Sequence, residues 1–266
     1  MTAMRPLAEM PRATRHAIRG VLTDIDDTLT THGRLTAEAY SALEQLSAAG
    51  KIVVPITGRP AGWCDHIARM WPVDAVVGEN GAFSMRYDRA ANKLVTRFVA
   101  DAATRRAHRA RIAAIGDAIL AAVPGTALAS DQGYREADLA IDFREDVPEL
   151  PRAAVDRVVA LMEAAGMTAK ISSIHVNGWF GNYDKLTTTR RLFADVHGLD
   201  LDADRAHFVF VGDSPNDAPM FAHFPNAVGV ANVRAFADRI PTLPAYVTEH
   251  EGGEGFAELA RFLLDG

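Results

Sequence analysis

The sequence predicts an α/β protein, a doubly wound parallel sheet with a smaller α+β domain inserted into it. Three observations point there. Between residues 18 and 83, short apolar runs alternate with amphipathic stretches in a β-α-β-α-β order. Near residue 82 that rhythm breaks. From Asp184 onward it resumes, so the first domain is interrupted and later completed. The expected division is a tail over 1–17, a core of 18–83 and 181–266, and an inserted domain over 84–180.

Taken in order, residues 1–17 carry several Arg but no continuous apolar stretch, which argues against a secretory signal and for a short unstructured tail. Ile18, Val21 and Leu22 read as a strand covered on both faces. It stops at Asp24, and Asp24, Asp26 and Asp27 then fall within four residues. Thr36 opens a helix through about Ala49, with Tyr40, Leu43 and Leu46 as its apolar stripe and Gly50 beyond its end. Residues 51–56 form a second buried strand, ending in Thr57-Gly58-Arg59-Pro60. A helix to about Met70 leads to a third strand at 74–77, which ends in Gly78-Glu79-Asn80-Gly81.

The inserted stretch reads differently. Residues 82–87 and 94–99 suggest a hairpin, 101–123 a long helix closed by Pro124-Gly125, and 136–143 a strand. Pro151 starts another helix, and 168–180 is extended, as two strands around Ser172-Ser173. Back in the core, 185–197 is helical and His207 to Val211 is a buried strand ending in Gly212-Asp213-Ser214-Pro215-Asn216-Asp217. A short helix, strands at 227–230 and 245–248, and a helix at 256–264 close the chain.

Composition narrows the function. A net charge of −6 argues against a nucleic-acid partner. No apolar run approaches the ~20 residues of a membrane span. One cysteine, Cys64, excludes an internal disulfide framework and suits a reducing compartment such as the cytoplasm. The His residues are scattered, without zinc-site spacing.

Three apolar strands stop at polar groups: Asp24 and Asp26, Thr57, and Asp213 and Asp217. In open parallel sheets the carboxyl ends of the strands line the ligand crevice, so these distant motifs are expected to converge. Clustered carboxylates repel, and a hard cation such as Mg²⁺ relieves that by taking oxygen ligands.

Asp24-Ile25-Asp26-Asp27-Thr28, Thr57-Gly58-Arg59, Lys185 and the Asp213–Asp217 loop, in this order, resemble the four motifs of the haloacid dehalogenase superfamily. Val77-Gly78-Glu79-Asn80-Gly81-Ala82 is similar to a sequence of its Cof-type branch, whose α/β cap is inserted between the second and third motifs. That resemblance implies a Rossmann-like core and a Mg²⁺-dependent phosphatase for a small phosphorylated metabolite, most simply a sugar phosphate, working as monomer or homodimer. A phosphomutase on the same scaffold is the alternative, and a catalytically silent binding protein a third.

The implied roles are specific. Asp24 is the nucleophile that forms an aspartyl-phosphate, and Asp26 the acid and base. Thr57 and Lys185 hold phosphoryl oxygens, with Gly58, Arg59 and Asn80 as further substrate contacts. Mg²⁺ binds Asp24, Asp26 through its backbone carbonyl, and Asp213, while Asp217 steadies the metal or Lys185. Asp27 stands where glycine is frequent, a position at which the backbone matters more than the side chain.

Other residues read two ways. Arg59 suits either a substrate phosphate or a loop-to-helix junction; Glu79 and Asn80 could reach the substrate where the insertion hinges, and Asn80 before Gly81 equally suits a turn. The basic run at 104–111 reads as a solvated face. His175, Asn177, Trp179 and Asn182 either grip a sugar or pack a strand. Trp63 and Phe221 are expected in the core, and Cys64 as a small buried hydrophobe.

Overall fold

The computed structural model describes residues 4–265. Its centre is a six-stranded, all-parallel sheet in the order Arg5–Pro6, Tyr246–Val247, Val228–Gly229, Phe208–Gly212, Gly20–Thr23, Ile52–Pro55. Gly20–Thr23 is fully buried between two neighbours, as an unbroken apolar run requires. Helices Ala37–Ala48 and Gly252–Leu264 cover one face, with Leu43, Leu46, Phe256 and Leu259 inward. Lys185–Leu192 and Ala218–His223 cover the other, around Phe193, Phe208, Phe210 and Phe221. Thr36 caps its helix by accepting from the Ala39 N–H at 3.2 Å. Gly50 follows that helix with φ +75°, the left-handed conformation expected of it.

The residues expected to be a loose tail are ordered from Arg5 onward. Arg5–Pro6 adds a parallel edge strand, Leu7 and Met10 are buried, and Arg12–Ala17 is helical. Two apolar side chains three residues apart, with the Arg5 guanidinium 4.4 Å from the Tyr246 ring centroid, hold the segment down. Residues 1–3 lie outside the described residues.

A second difference concerns the hairpin Phe83–Asp88 and Lys93–Phe98, expected in the inserted domain. It pairs antiparallel with Val76–Gly78, which meets the main sheet through the Ile56–Val77 bridge. Phe83 and Met85 join the same apolar cluster as Val21 and Val53. The break at residue 82 therefore marks a reversal of strand direction.

The insertion with its own core starts at the Ala102–Ala122 helix. Its antiparallel sheet runs Thr168–Ile171, His175–Trp179, Asp138–Asp142, Ala127–Leu128. That helix and Arg152–Ala164 pack on it around Ile119, Leu139, Val158, Met162 and Val176. No helix of the described residues is long and apolar enough to cross a membrane.

Candidate active site

The Asp24 N–H still donates to Val211 O at 2.9 Å, so the ladder continues one residue beyond its strand. After it the chain folds back, with Thr28, Leu29 and Thr30 all donating to Ile25 O. Asp27 has φ +54°, the left-handed conformation that explains why this is a backbone-critical position. Thr57 lies just past the neighbouring strand, and its hydroxyl accepts from the Arg59 N–H at 3.0 Å. That leaves its hydroxyl hydrogen free to donate.

Lys185 begins the returning helix, with Asp184 as the cap, accepting from Thr187 N at 2.7 Å. The helix comes close to the core because Gly81 lets it. A Cβ at Gly81 would lie 2.1 Å from Asp184 O, and the residue has φ +109°. Thr188 Oγ1 donates to Gly81 O at 2.5 Å and ties the two segments. Lys185 Nζ then donates to Asp24 Oδ1 at 2.8 Å and Asp217 Oδ1 at 2.7 Å. Asp217 Oδ2 accepts from the Asp213 and Ser214 N–H groups at 3.0 and 3.3 Å. Gly212 makes room for that carboxylate, since a Cβ there would lie 2.3 Å from Asp217 Oδ2.

Asp24, Asp213 and Asp217 each offer an oxygen, all within 4.8 Å of one another. Burial pushes the Asp24 carboxyl up to about 7 against the opposing pull of Lys185, with Asp217 and Asp26 adding to the rise. Burial, then Asp24, Asp217 and Asp27, hold Asp213 well above the carboxylate range. For Lys185, burial draws the pKa down, but Asp217 and Asp24 outweigh it and keep the ammonium charged. A cluster of oxygen donors that one ammonium does not balance suits a hard divalent cation. Asp213 is held in place by accepting from Thr28 Oγ1 at 3.1 Å and Asn232 Nδ2 at 3.4 Å.

Asp217 accepts from Lys185 through one oxygen and from the backbone through the other. The Asp26 carboxylate is taken by Arg59, whose Nε donates to its two oxygens at 2.8 and 3.1 Å. Arg59 itself, expected as one of two things, is neither free for a phosphate nor a simple turn residue. Asp131 and Glu145 of the insertion hold its remaining nitrogens. Trp63, expected in the core, is 44% exposed and stacks on Arg59, the guanidinium carbon 4.4 Å from its ring centroid.

Asn80 is buried with φ +53°, accepts from Asn216 Nδ2 at 3.2 Å, and keeps an unpaired Nδ2 beside Gly58. It is thus a turn residue and also presents a donor. Trp179 packs in the core and donates to Tyr183 O, while Asn177 bonds Asp138 and His175 Nε2 lies 2.9 Å from Glu145. None of these three reaches Asp24. Arg105 and Arg109 of the basic run pair with Glu136, and Cys64 and Phe221 are buried as expected.

Sequence reasoning missed Asn232, which fixes Asp27 O at 2.9 Å as well as Asp213. Asn232 lies in an unremarkable stretch of the sequence. Glu79, expected near the substrate where the insertion hinges, is buried and accepts from the N–H groups of Ala61 in the core and of Glu136 and Ala137 in the insertion. A cavity of about 400 Å³ lies against Asp213 and Asp27, with Arg144 and Arg234 on its walls.

The parallel sheet thus carries an acidic cluster at its carboxyl edge. Residues 21–117 match the family described as haloacid dehalogenase-like hydrolase. Solved structures share the fold. The Thermoplasma acidophilum protein 0175 is 19% identical, with TM-score 0.66, over 92% of this chain and 98% of that one. The C-terminal domain of Candida albicans trehalose-6-phosphate phosphatase is 13% identical, with TM-score 0.69, over 98% of each chain. Sucrose-phosphatase from Synechocystis, solved with sucrose and phosphate, is 16% identical, with TM-score 0.63, over 92% and 98%. No protein of curated function matches the sequence.

Proposed function

We propose that this protein is a hydrolase of the haloacid dehalogenase type, a Mg²⁺-dependent phosphatase of small phosphorylated metabolites, with sugar phosphates the first class to test. The observation that carries it is the Asp217–Lys185–Asp24 chain. It pins Asp24 Oδ1 at 2.8 Å from the ammonium, while Oδ2 has no hydrogen-bond partner among the described residues. That is an oriented carboxylate with one oxygen left to attack.

In this reading Asp24 Oδ2 displaces the alcohol from phosphorus and forms an aspartyl-phosphate. Asp26 gives its proton to the departing alkoxide, then takes one from the water that cleaves the acyl phosphate, so Asp24 is regenerated and phosphate leaves. Lys185 and the Thr57 hydroxyl hold phosphoryl oxygens, with the Asn80 amide as a further donor. Asp24, Asp213 and the Asp26 carbonyl would bind Mg²⁺, which when bound offsets the charge gathering on the phosphoryl group. The names of the trehalose-phosphate and sucrose-phosphate neighbours favour a sugar as the alcohol. The single buried Cys64 fits a reducing setting such as the cytoplasm.

The test is Mg²⁺-dependent release of p-nitrophenol from p-nitrophenyl phosphate, followed by a panel of sugar phosphates. Free phosphate is the expected product. An isomeric sugar phosphate without net hydrolysis points to a mutase, and no turnover of any ester with saturating Mg²⁺ refutes the reading.

A further inference from the structure

We propose that Arg59 is a positioning residue that makes Asp131 and Glu145 of the insertion part of the acid–base machinery. It holds the Asp26 carboxylate in its working orientation only while the insertion is seated on the core. This rests on the phosphatase reading above.

The geometry is that of a strut. Arg59 is 4% exposed. Its Nε edge grips Asp26 of the core, while Nη1 reaches Asp131 at 3.2 Å and Nη2 reaches Glu145 at 2.5 Å. A guanidinium is planar and carries its donors in a fixed fork, so the three carboxylates are set relative to one another. Trp63 covers one face of that plane. A large aromatic left half in solvent is not filling a core; its place is explained by the cation it stacks on.

The insertion grips the same loop a second way. Arg135, its side chain fully buried, donates to Gly58 O at 2.8 Å, to Asp131 at 3.0 Å and to Asp138 at 3.0 Å. Glu145 is in turn backed by His175 at 2.9 Å and by its own N–H to Asp142 at 2.8 Å. Burial opposes the charge on Glu145, yet His175 and Arg59 bring its carboxyl down to about 2. The partners of Arg59 are therefore themselves fixed, and they sit 72 and 86 residues away along the chain. With the insertion lifted, Arg59 would keep only one of three carboxylates, and nothing else among the described residues bonds the Asp26 side chain.

The experiment compares turnover of an alkyl phosphate with that of p-nitrophenyl phosphate, whose leaving group needs no proton. Glu145→Gln keeps the shape and removes the charge. It is expected to lower alkyl phosphate turnover about tenfold, a fraction of the about 100-fold or more attached to a general acid itself. p-Nitrophenyl phosphate should lose less than about threefold, with KM for both little changed. Arg59→Lys, a point charge without the fork, should give the same selective loss. In an Asp26→Asn background, Glu145→Gln should have no further effect on the ratio. Equal losses on both esters, no loss on either, or a full additional effect in that background overturns the proposal.

If the parent protein hydrolyses neither ester, the phosphatase reading has failed and the strut is read by amide hydrogen exchange. Glu145→Gln should then speed exchange across 131–145 of the insertion and 57–60 of the core together. Faster exchange in the insertion alone, or none in either, overturns the strut.

Discussion

Lys185 Nζ lies 2.8 Å from Asp24 Oδ1, although 161 residues separate the two. The contact exists because the returning helix starts directly against Gly81, at the end of a core strand. Replacing Lys185 by Met leaves Asp24 and Asp217 buried without their ammonium. Turnover is expected to fall at least about 100-fold, on the scale of a lost transition-state donor. Removing one partner of a buried pair also destabilises by about 3 kcal/mol. Steady-state kinetics and urea melts check both; a near-parent value of either contradicts the role.

Gly81→Ala tests how that contact is made. The new Cβ would meet Asp184 O at 2.1 Å on a backbone of φ +109°. Strain and displacement together predict a loss of about 2 kcal/mol or more. Because the helix carries Lys185, turnover should fall as well. An unchanged urea midpoint with parental kcat contradicts this.

Asp213→Asn removes one anionic oxygen from the proposed cation site. The Mg²⁺ concentration for half-maximal activity should rise at least about tenfold, and saturating Mg²⁺ should not restore full turnover. Titration of activity against Mg²⁺ reads it. An unshifted titration curve contradicts a ligand role for Asp213.

Metal removal carries a pH signature. In the metal-free protein the folded pKa of Asp24 is raised from 3.8 to about 7, chiefly by burial. A raised carboxyl contributes stability that is fully present below its unfolded pKa and lost as pH rises through its folded one. Asp213 shifts in the same direction. With chelator present, Tm should therefore fall between about pH 4 and pH 7, and added Mg²⁺ should flatten that fall by binding the ionised carboxylates. A Tm that rises across this window, or is indifferent to Mg²⁺ at pH 8, contradicts it.

The sheet, with Asp24 and Asp213 at its carboxyl edge, was legible because it rests on short-range pattern, whereas Lys185 came only from the order of motifs that the resemblance supplied. An apolar run stopping at a carboxylate is a local feature, and a parallel sheet brings such ends together. The 82–99 hairpin was misplaced because a reversal of strand direction and a domain border leave the same break in sequence. The N-terminal segment was missed because Leu7 and Met10 are too few to show a period. Trp63 was assigned inward because aromatic residues on amphipathic helices usually are. Its actual partner is a guanidinium whose own place is set by Asp131 and Glu145, and nothing near Arg59 in the sequence announces them.

The most direct test of the account is where phosphorus goes. Protein turning over a phosphate ester with Mg²⁺ is acid-quenched, digested and mapped. The account predicts an acyl phosphate on Asp24, absent from Asp24→Ala together with all turnover. Phosphorus on Asp26 or on a histidine, or on no residue while turnover continues, would contradict it.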